Sequence, residues 1–342
     1  MKSQKQLEAF RHVGDPLADA VISEIYEKGK PELREKLNTA SGNGDLQSLM
    51  GSSGALSKLI ENVSFPAWVN SKLLSRGQRL FRTYSVEMSA ILGIYSLPYC
   101  YAAANGAKVL IHSRNILEKP QQRLSETAQF VVDIMADDGF SPTGRGYLSI
   151  LKVRLLHATA RYFAARHIRF EVPVNQEDMA GTNLAFSLIC MRGLSDIGVN
   201  LDLKAREAYI HAWNVIGSML GIDRELLPDD IKKAVALERA IRKHQFRYSE
   251  EGEKLTKSLT RYLQGQLPAS FPFKSSDIVA YFLGQEVSKC VGLEKSPGFT
   301  SAAISSLRVR NLLNDFSKET FSTTSQLVKE QVERSDGTYF AV

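Results

Sequence analysis

The stretch Tyr147 to Arg166, YLSILKVRLLHATARYFAAR, constrains the fold most, because it contains neither Gly nor Pro and its apolar residues recur with a helical period. At about 100° per residue, Arg154, His157 and Arg161 fall within an arc of about 60°, whereas Ser149, Lys152 and Thr159 point elsewhere. An imidazole bracketed by two guanidiniums on an otherwise apolar segment is costly to bury unless something anionic or metallic meets it. Ala158 and Ala165 lie beside that face, so a flat, bulky group could approach the backbone. A haem meets these requirements, with imidazole as axial ligand and guanidiniums forking onto the propionates. A helical histidine beside arginines is ordinarily a satisfied or surface residue, so the spacing alone does not decide between the two readings.

The flanking sequence repeats the helical period. In GDPLADAVISEIYEKG, Asp15 is placed to cap a helix whose first position is Pro16. Residues 38–57, NTASGNGDLQSLMGSSGALS, are rich in Gly and Ser and read as a loop or linker. This predicts a helical lead-in with a Gly/Ser-rich loop over 1–58 and a main body over 59–335. Pro98 breaks the apolar run SLPYCYAAANGAKVL, and Asn105-Gly106 marks a turn. A helix over 121–137 carries Arg123, Thr127, Phe130 and Ile134 as a stripe, with Glu126 on its edge. Polar at its head and apolar beyond, that stripe could wall a pocket or simply be a half-buried face. The loop over 138–146 returns the chain to the Tyr147 helix, so the two helices pack as neighbours facing one another. In AREAYIHAWNVIGSMLGID, Tyr209, Trp213, Ile216 and Leu220 share one face and His211 sits opposite, toward solvent or a polar cleft. Asp229 is placed to cap the helix after Pro228, and further helical patterns cover 250–267, 275–289 and 305–333. Alternation of the β type is scarce, which predicts an all-α chain, one large multi-helix domain with a pocket between facing helices.

Charge and cysteines exclude several classes. The net charge of +6 is spread among Asp and Glu, with no compact Lys/Arg run interleaved with aromatics, which argues against a nucleic-acid binder. Cys100, Cys190 and Cys290 are far apart and odd in number, which predicts reduced thiols rather than a disulfide framework or zinc knuckle. The N-terminus has no apolar signal region and no run of about 18 apolar residues follows, so a cytoplasmic protein without stable membrane insertion is expected. P-loop, HExxH and GxSxG motifs are absent.

The elements GDPLAD, SLPYCYAAANGAKVL, RLSETAQFV, RLLHATAR, NQEDMAGT and AYIHAWNVIGSMLGID followed by LLP occur in the order found in the rubber oxygenase (latex-clearing protein) and MpaB-type oxygenases, and the chain resembles that family. The resemblance spans most of residues 14–230, with weaker agreement to about 315. It implies an all-α catalytic domain that binds b-type haem through its iron. His157 then matches the proximal haem ligand, Arg154 and Arg161 the arginines flanking it, and Arg123 and Thr127 the polar pair on the distal helix. Two departures stand out. Glu126 occupies the position where rubber-cleaving members place a lysine, and Ala107 and Lys108 lie where a catalytic carboxylate is found in those enzymes.

The function expected is that of a haem-dependent oxygenase using O2 on a small, apolar, unsaturated, isoprenoid-like substrate, by oxidative C=C cleavage. Arg123, Thr127 and Glu126 are its candidate catalytic groups, and Phe130, Ile134 and His211 its candidate substrate contacts. An electron donor is a further expected partner. The alternative is a haem sensor, carrier or peroxidase-like protein on the same scaffold.

Overall fold

The computed structural model describes residues 4–111, 117–168, 171–267 and 273–294. Among them the regular structure is helical, and the β-type contact is an isolated bridge between Ala103 and Phe246. The expected helical pattern over 305–333 lies outside the described residues. None of the described helices is long and apolar enough to cross a membrane. The cysteines are free thiols.

Three short helices open the chain: α1 (Gln4–Phe10), α2 (Pro16–Tyr26) and α3 (Pro31–Thr39). Asp15 caps α2 as expected, its Oδ1 accepting from the Ala18 amide with Pro16 at the first helical position. The Gly/Ser-rich stretch is not a structureless linker. It folds into α4 (Leu46–Leu49) and α5 (Gly54–Asn62), the latter capped by Ser53, whose Oγ accepts from Leu56. The small residues leave enough apolar positions, Leu49, Leu56, Leu59 and Ile60, to fill one side, and these join the same core as the rest of the chain. Leu7, Val21 and Ile22 of the lead-in belong to that core too.

The main body begins with α6 (Ser71–Thr83) and α7 (Ser85–Ile91). A π-helical turn over Leu92–Ser96 then leads without a break into α8 (Leu97–Tyr101), and Pro98, which has no amide hydrogen to donate, follows directly on that widened turn. The expected turn at Asn105-Gly106 is instead inside α9 (Ala104–Ile111), because Asn105 is buried, donates to Glu171 and accepts from Arg247. The facing pair follows as α10 (Pro120–Met135) and α11 (Gly146–Ala164). Next come α12 (Gln176–Leu184), a second π turn over Ala185–Ile189, and α13 (Cys190–Asp196). The two π turns meet, Ser96 Oγ donating to the Ala185 carbonyl at 2.8 Å.

The last four helices are α14 (Leu203–Met219), α15 (Ile231–Gln245), α16 (Glu250–Gln266) and α17 (Ser275–Cys290). Nearly every residue of α14 from Ala208 to Gly217 is buried, so it forms the axis of the bundle. The most extensive crossing among the described helices is α6 on α14, which approach closely at Gly77, where a Cβ would stand 2.5 Å from the Ala208 carbonyl and 2.7 Å from Ala212 Cβ. Asp202 caps α14 through the Ala205 amide. The cap of α15 is Asp230 rather than Asp229, whose carboxylate is drawn instead to Arg224 and Lys233.

Candidate active site

Helix α11 lies between α2 on one side and α10 on the other, and this sandwich places the groups singled out from the sequence. His157 is half-buried, and its Nδ1 is sealed from solvent with no hydrogen-bond partner among the described residues. Burial holds its pKa down to about 4, helped by the positive charges of Arg161 and Arg123 and opposed by Asp15. The ring is therefore neutral at physiological pH, with a lone pair on one of its two nitrogens. An Nδ1 without a partner sets this ring apart from a fully hydrogen-bonded helical histidine.

Arg154 is not free to meet an incoming anion. Its Nε and Nη2 donate to the two oxygens of Asp15 at 2.5 and 3.0 Å, and its Nη1 donates to Asn62 Oδ1 at 2.6 Å and to the Met219 carbonyl at 3.3 Å. A fork-on-fork pair with both members buried is fully occupied, which corrects the expectation that Arg154 reaches a propionate. Arg161 is occupied in part: Nε donates to Asp19 and Nη1 to the Val174 carbonyl, while the buried Nη2 has no partner among the described residues. The unpartnered polar atoms on this face of α11 are thus His157 Nδ1 and Arg161 Nη2.

On α10, Arg123 contributes to the field at His157, so the two helices do face one another as the sequence implied. Arg123 also borders an apolar cavity of about 10 Å³, walled by Leu97, Tyr101, Pro120, Leu124, Leu255 and Leu259 from α8, α10 and α16. Thr127 Oγ1 donates back to the Arg123 carbonyl at 2.9 Å. Glu126 accepts from Gln122 at 3.0 Å and stands 3.8 Å from Arg123, so the expected base is held along its own helix. Phe130 is half-buried against the core, and Ile134 is sealed within it. Ile134 is therefore a packing residue: it lies about three helical turns along α10 from Arg123, fully buried, and is not among the residues that line the Arg123 cavity. His211 lies elsewhere: its Nε2 accepts from the Asn70 amide at 3.0 Å and its ring meets Trp68 edge-on. Those contacts occupy it at the start of α6, which corrects its assignment as a substrate contact.

The family described as ER-bound oxygenase mpaB/B'/Rubber oxygenase, catalytic domain, matches residues 88–309. The chain belongs to this family. It is an oxygenase by that membership. The rubber oxygenase of Streptomyces sp. (strain K30) is similar to it, with 26% identity over 297 residues that cover 84% of this chain and 72% of that protein. The solved structure of latex clearing protein LCP in the closed state superposes with a TM-score of 0.77 at 22% identity and covers 91% of each chain, which shows the shared fold. In this MpaB/rubber oxygenase member, the matched span includes α10, α11 and α14 but begins after α2. The carboxylates that occupy Arg154 and Arg161 come from α2, outside that span. Reading α11 alone misses them; they lie in GDPLAD, which the sequence shows as a helix start and as the first element of the family resemblance, not as a partner of the arginines.

Proposed function

We propose that this oxygenase holds a b-type haem on His157 and oxidises a small, apolar, unsaturated, isoprenoid-like substrate, by oxidative C=C cleavage. The observation that carries this reading is the imidazole itself: a buried Nδ1 without a partner among the described residues, on a ring kept neutral by burial and by the charges of Arg161 and Arg123. A neutral imidazole lone pair is what axial ligation of iron requires. Arg161 Nη2, the other uncommitted donor of that face, suits one carboxylate of the macrocycle. The residues present fit the group as ligand and counter-charge, although the role divides differently from the symmetric pair of arginines expected. The haem would supply iron able to activate O2, with electrons from a reductant.

The rest is the work of this chain. Arg123 is a fixed cation at the edge of an apolar cavity, able to donate hydrogen bonds to an oxygen function of substrate or product. Leu97, Leu124, Leu255 and Leu259 give that cavity its affinity for hydrocarbon, and they exclude water. Its volume has room for about one water, so a substrate enters only as α8, α10 and α16 give way. Thr127 must release the Arg123 carbonyl before its hydroxyl can serve a ligand.

An absorption spectrum of the purified chain, oxidised and then reduced under carbon monoxide, tests the ligation. A Soret band that is lost in His157→Ala with an unchanged helical spectrum is expected. Absence of the band together with failure to take up added haem overturns the reading. Supplying O2 and reductant to the ferrous form with polyene or isoprenoid candidates, and analysing products by mass spectrometry, then tests the reaction. Candidates recovered intact, with O2 bound but not consumed, would overturn the substrate class.

A further inference from the structure

Both guanidiniums beside His157 are gripped from the side of α2, and the grip is closed by two glycines. A Cβ on Gly221, which sits at φ +86°, would stand 2.9 Å from Arg154 Nε and Nη2 and from Asp15 Oδ2. A Cβ on Gly14 would stand 3.0 Å from Arg161 Cδ and Nε and 3.1 Å from Asp19 Oδ2. Each Arg–Asp pair is thus roofed by bare backbone, one roof leading into α2 and the other leaving α14.

A single side chain joins the two roofs. Gln176, at the first turn of α12 and 4% exposed, donates from Nε2 to the Gly14 carbonyl and to the Gly221 carbonyl, both at 2.9 Å. Its Oε1 accepts from the Asp223 amide at 2.7 Å, and its own amide donates to the Val13 carbonyl at 3.0 Å. All the hydrogen-bonding capacity of this carboxamide nitrogen is spent on the two glycine turns. Glutamate in its place would set an oxygen against two carbonyls, and asparagine is one methylene too short to reach both.

We propose that Gln176 is a positioning residue for His157. By tying Gly14 to Gly221 it holds Asp15 and Asp19 in register with Arg154 and Arg161, and so fixes the rotation and height of α11. The two arginines are about two helical turns apart with the imidazole between them, so both clamps must be set for the ring to keep one direction. Neither guanidinium can then swing toward the ring. This rests on the haem reading given above.

The test compares full-length wild type, Gln176→Asn and Gln176→Glu, each loaded with ferric haem, with Val279→Ala as a control that destabilises the distant α17 core. Both Gln176 variants are expected to release haem to excess apomyoglobin about tenfold faster, as for other changes behind a metal ligand. Their electron paramagnetic resonance spectra are expected to show more than one axial-ligand geometry, whereas Val279→Ala keeps the wild-type spectrum at a comparable loss of Tm. Should Gln176→Glu not fold, Gln176→Asn, which keeps a neutral amide, carries the comparison. Wild-type spectra and release rates in the Gln176 variants overturn the proposal. If wild type itself takes up no haem, the haem reading fails and the clamp is judged on the haem-free protein. There, Gln176→Asn is expected to move the His157 ring resonances in 1H–15N spectra, and unmoved resonances overturn it.

Discussion

At the residue scale, the site depends on a division of labour among three basic side chains that look equivalent in RLLHATAR. Arg154 is structural, because its guanidinium gives every nitrogen to Asp15, Asn62 or the Met219 carbonyl. Arg154→Met should leave the Asp15 carboxylate buried and unpaired and cost about 3–5 kcal/mol in urea unfolding. The double variant Asp15→Asn with Arg154→Met should lose less than the sum of the two single losses, since neither charge is then stranded. His157 differs in kind: its ring is not paired but kept neutral, at the expense of leaving Nδ1 unsatisfied. His157→Phe should therefore leave the haem-free chain at least as stable as wild type in thermal unfolding at pH 7, even though it abolishes haem uptake. A loss of several kcal/mol would instead mark His157 as a structural donor.

At the element scale, the helices stand where a close approach or a buried polar knot holds them. Gly77 lets α6 lie almost in contact with the backbone of α14, and Gly77→Ala should push them apart at a cost of about 1–3 kcal/mol, read as a lower urea midpoint. The N-terminal α1 is fastened by Arg11, which is buried and donates to Glu171, Glu177 and Asp178, with Gln245 donating to the same Glu177 and His244 beside it. Three carboxylates crowd one guanidinium there. Burial pushes the Asp178 carboxyl up to about 6, against the pull of Arg11 and with Glu171 and Glu177 adding to the rise. Arg11→Met should unfold this corner at pH 7, seen as faster hydrogen exchange over α1 and the first turn of α12, with partial recovery near pH 5 as the carboxylates take up protons.

At the scale of the whole molecule, two of these groups set opposing slopes of stability with pH. The folded state does not protonate His157 until about pH 4, whereas the unfolded chain does so near 6.5. Its contribution is complete above 6.5 and is lost as pH falls toward 4, by at most about 3 kcal/mol. Asp178 acts the other way. Its folded form binds a proton near pH 6 and its unfolded form near 3.8, so stability is gained as pH falls through that interval. In the haem-free protein, Asp178→Asn should steepen the loss of stability between pH 6.5 and 4, and His157→Phe should flatten it, both read as Tm against pH. Equal slopes in all three proteins would show that neither group is linked to folding.

The amino-acid sequence alone determined the helical class, the pairing of α10 with α11, the cap at Asp15, and the face that carries Arg154, His157 and Arg161. These depend on residue period and on local capping, which act over a few positions. It misjudged 38–57, where short helices hold apolar residues too sparse to show a stripe, and Asn105-Gly106, where a buried hydrogen bond overrode the local preference for a turn. Only the tertiary structure decided which polar atoms on that face are left without a partner among the described residues. The carboxylates that occupy the arginines lie about 140 residues away along the chain, and Gln176 ties together two turns that are far apart in sequence. Helical period can say which way a side chain points, but what it meets there depends on packing.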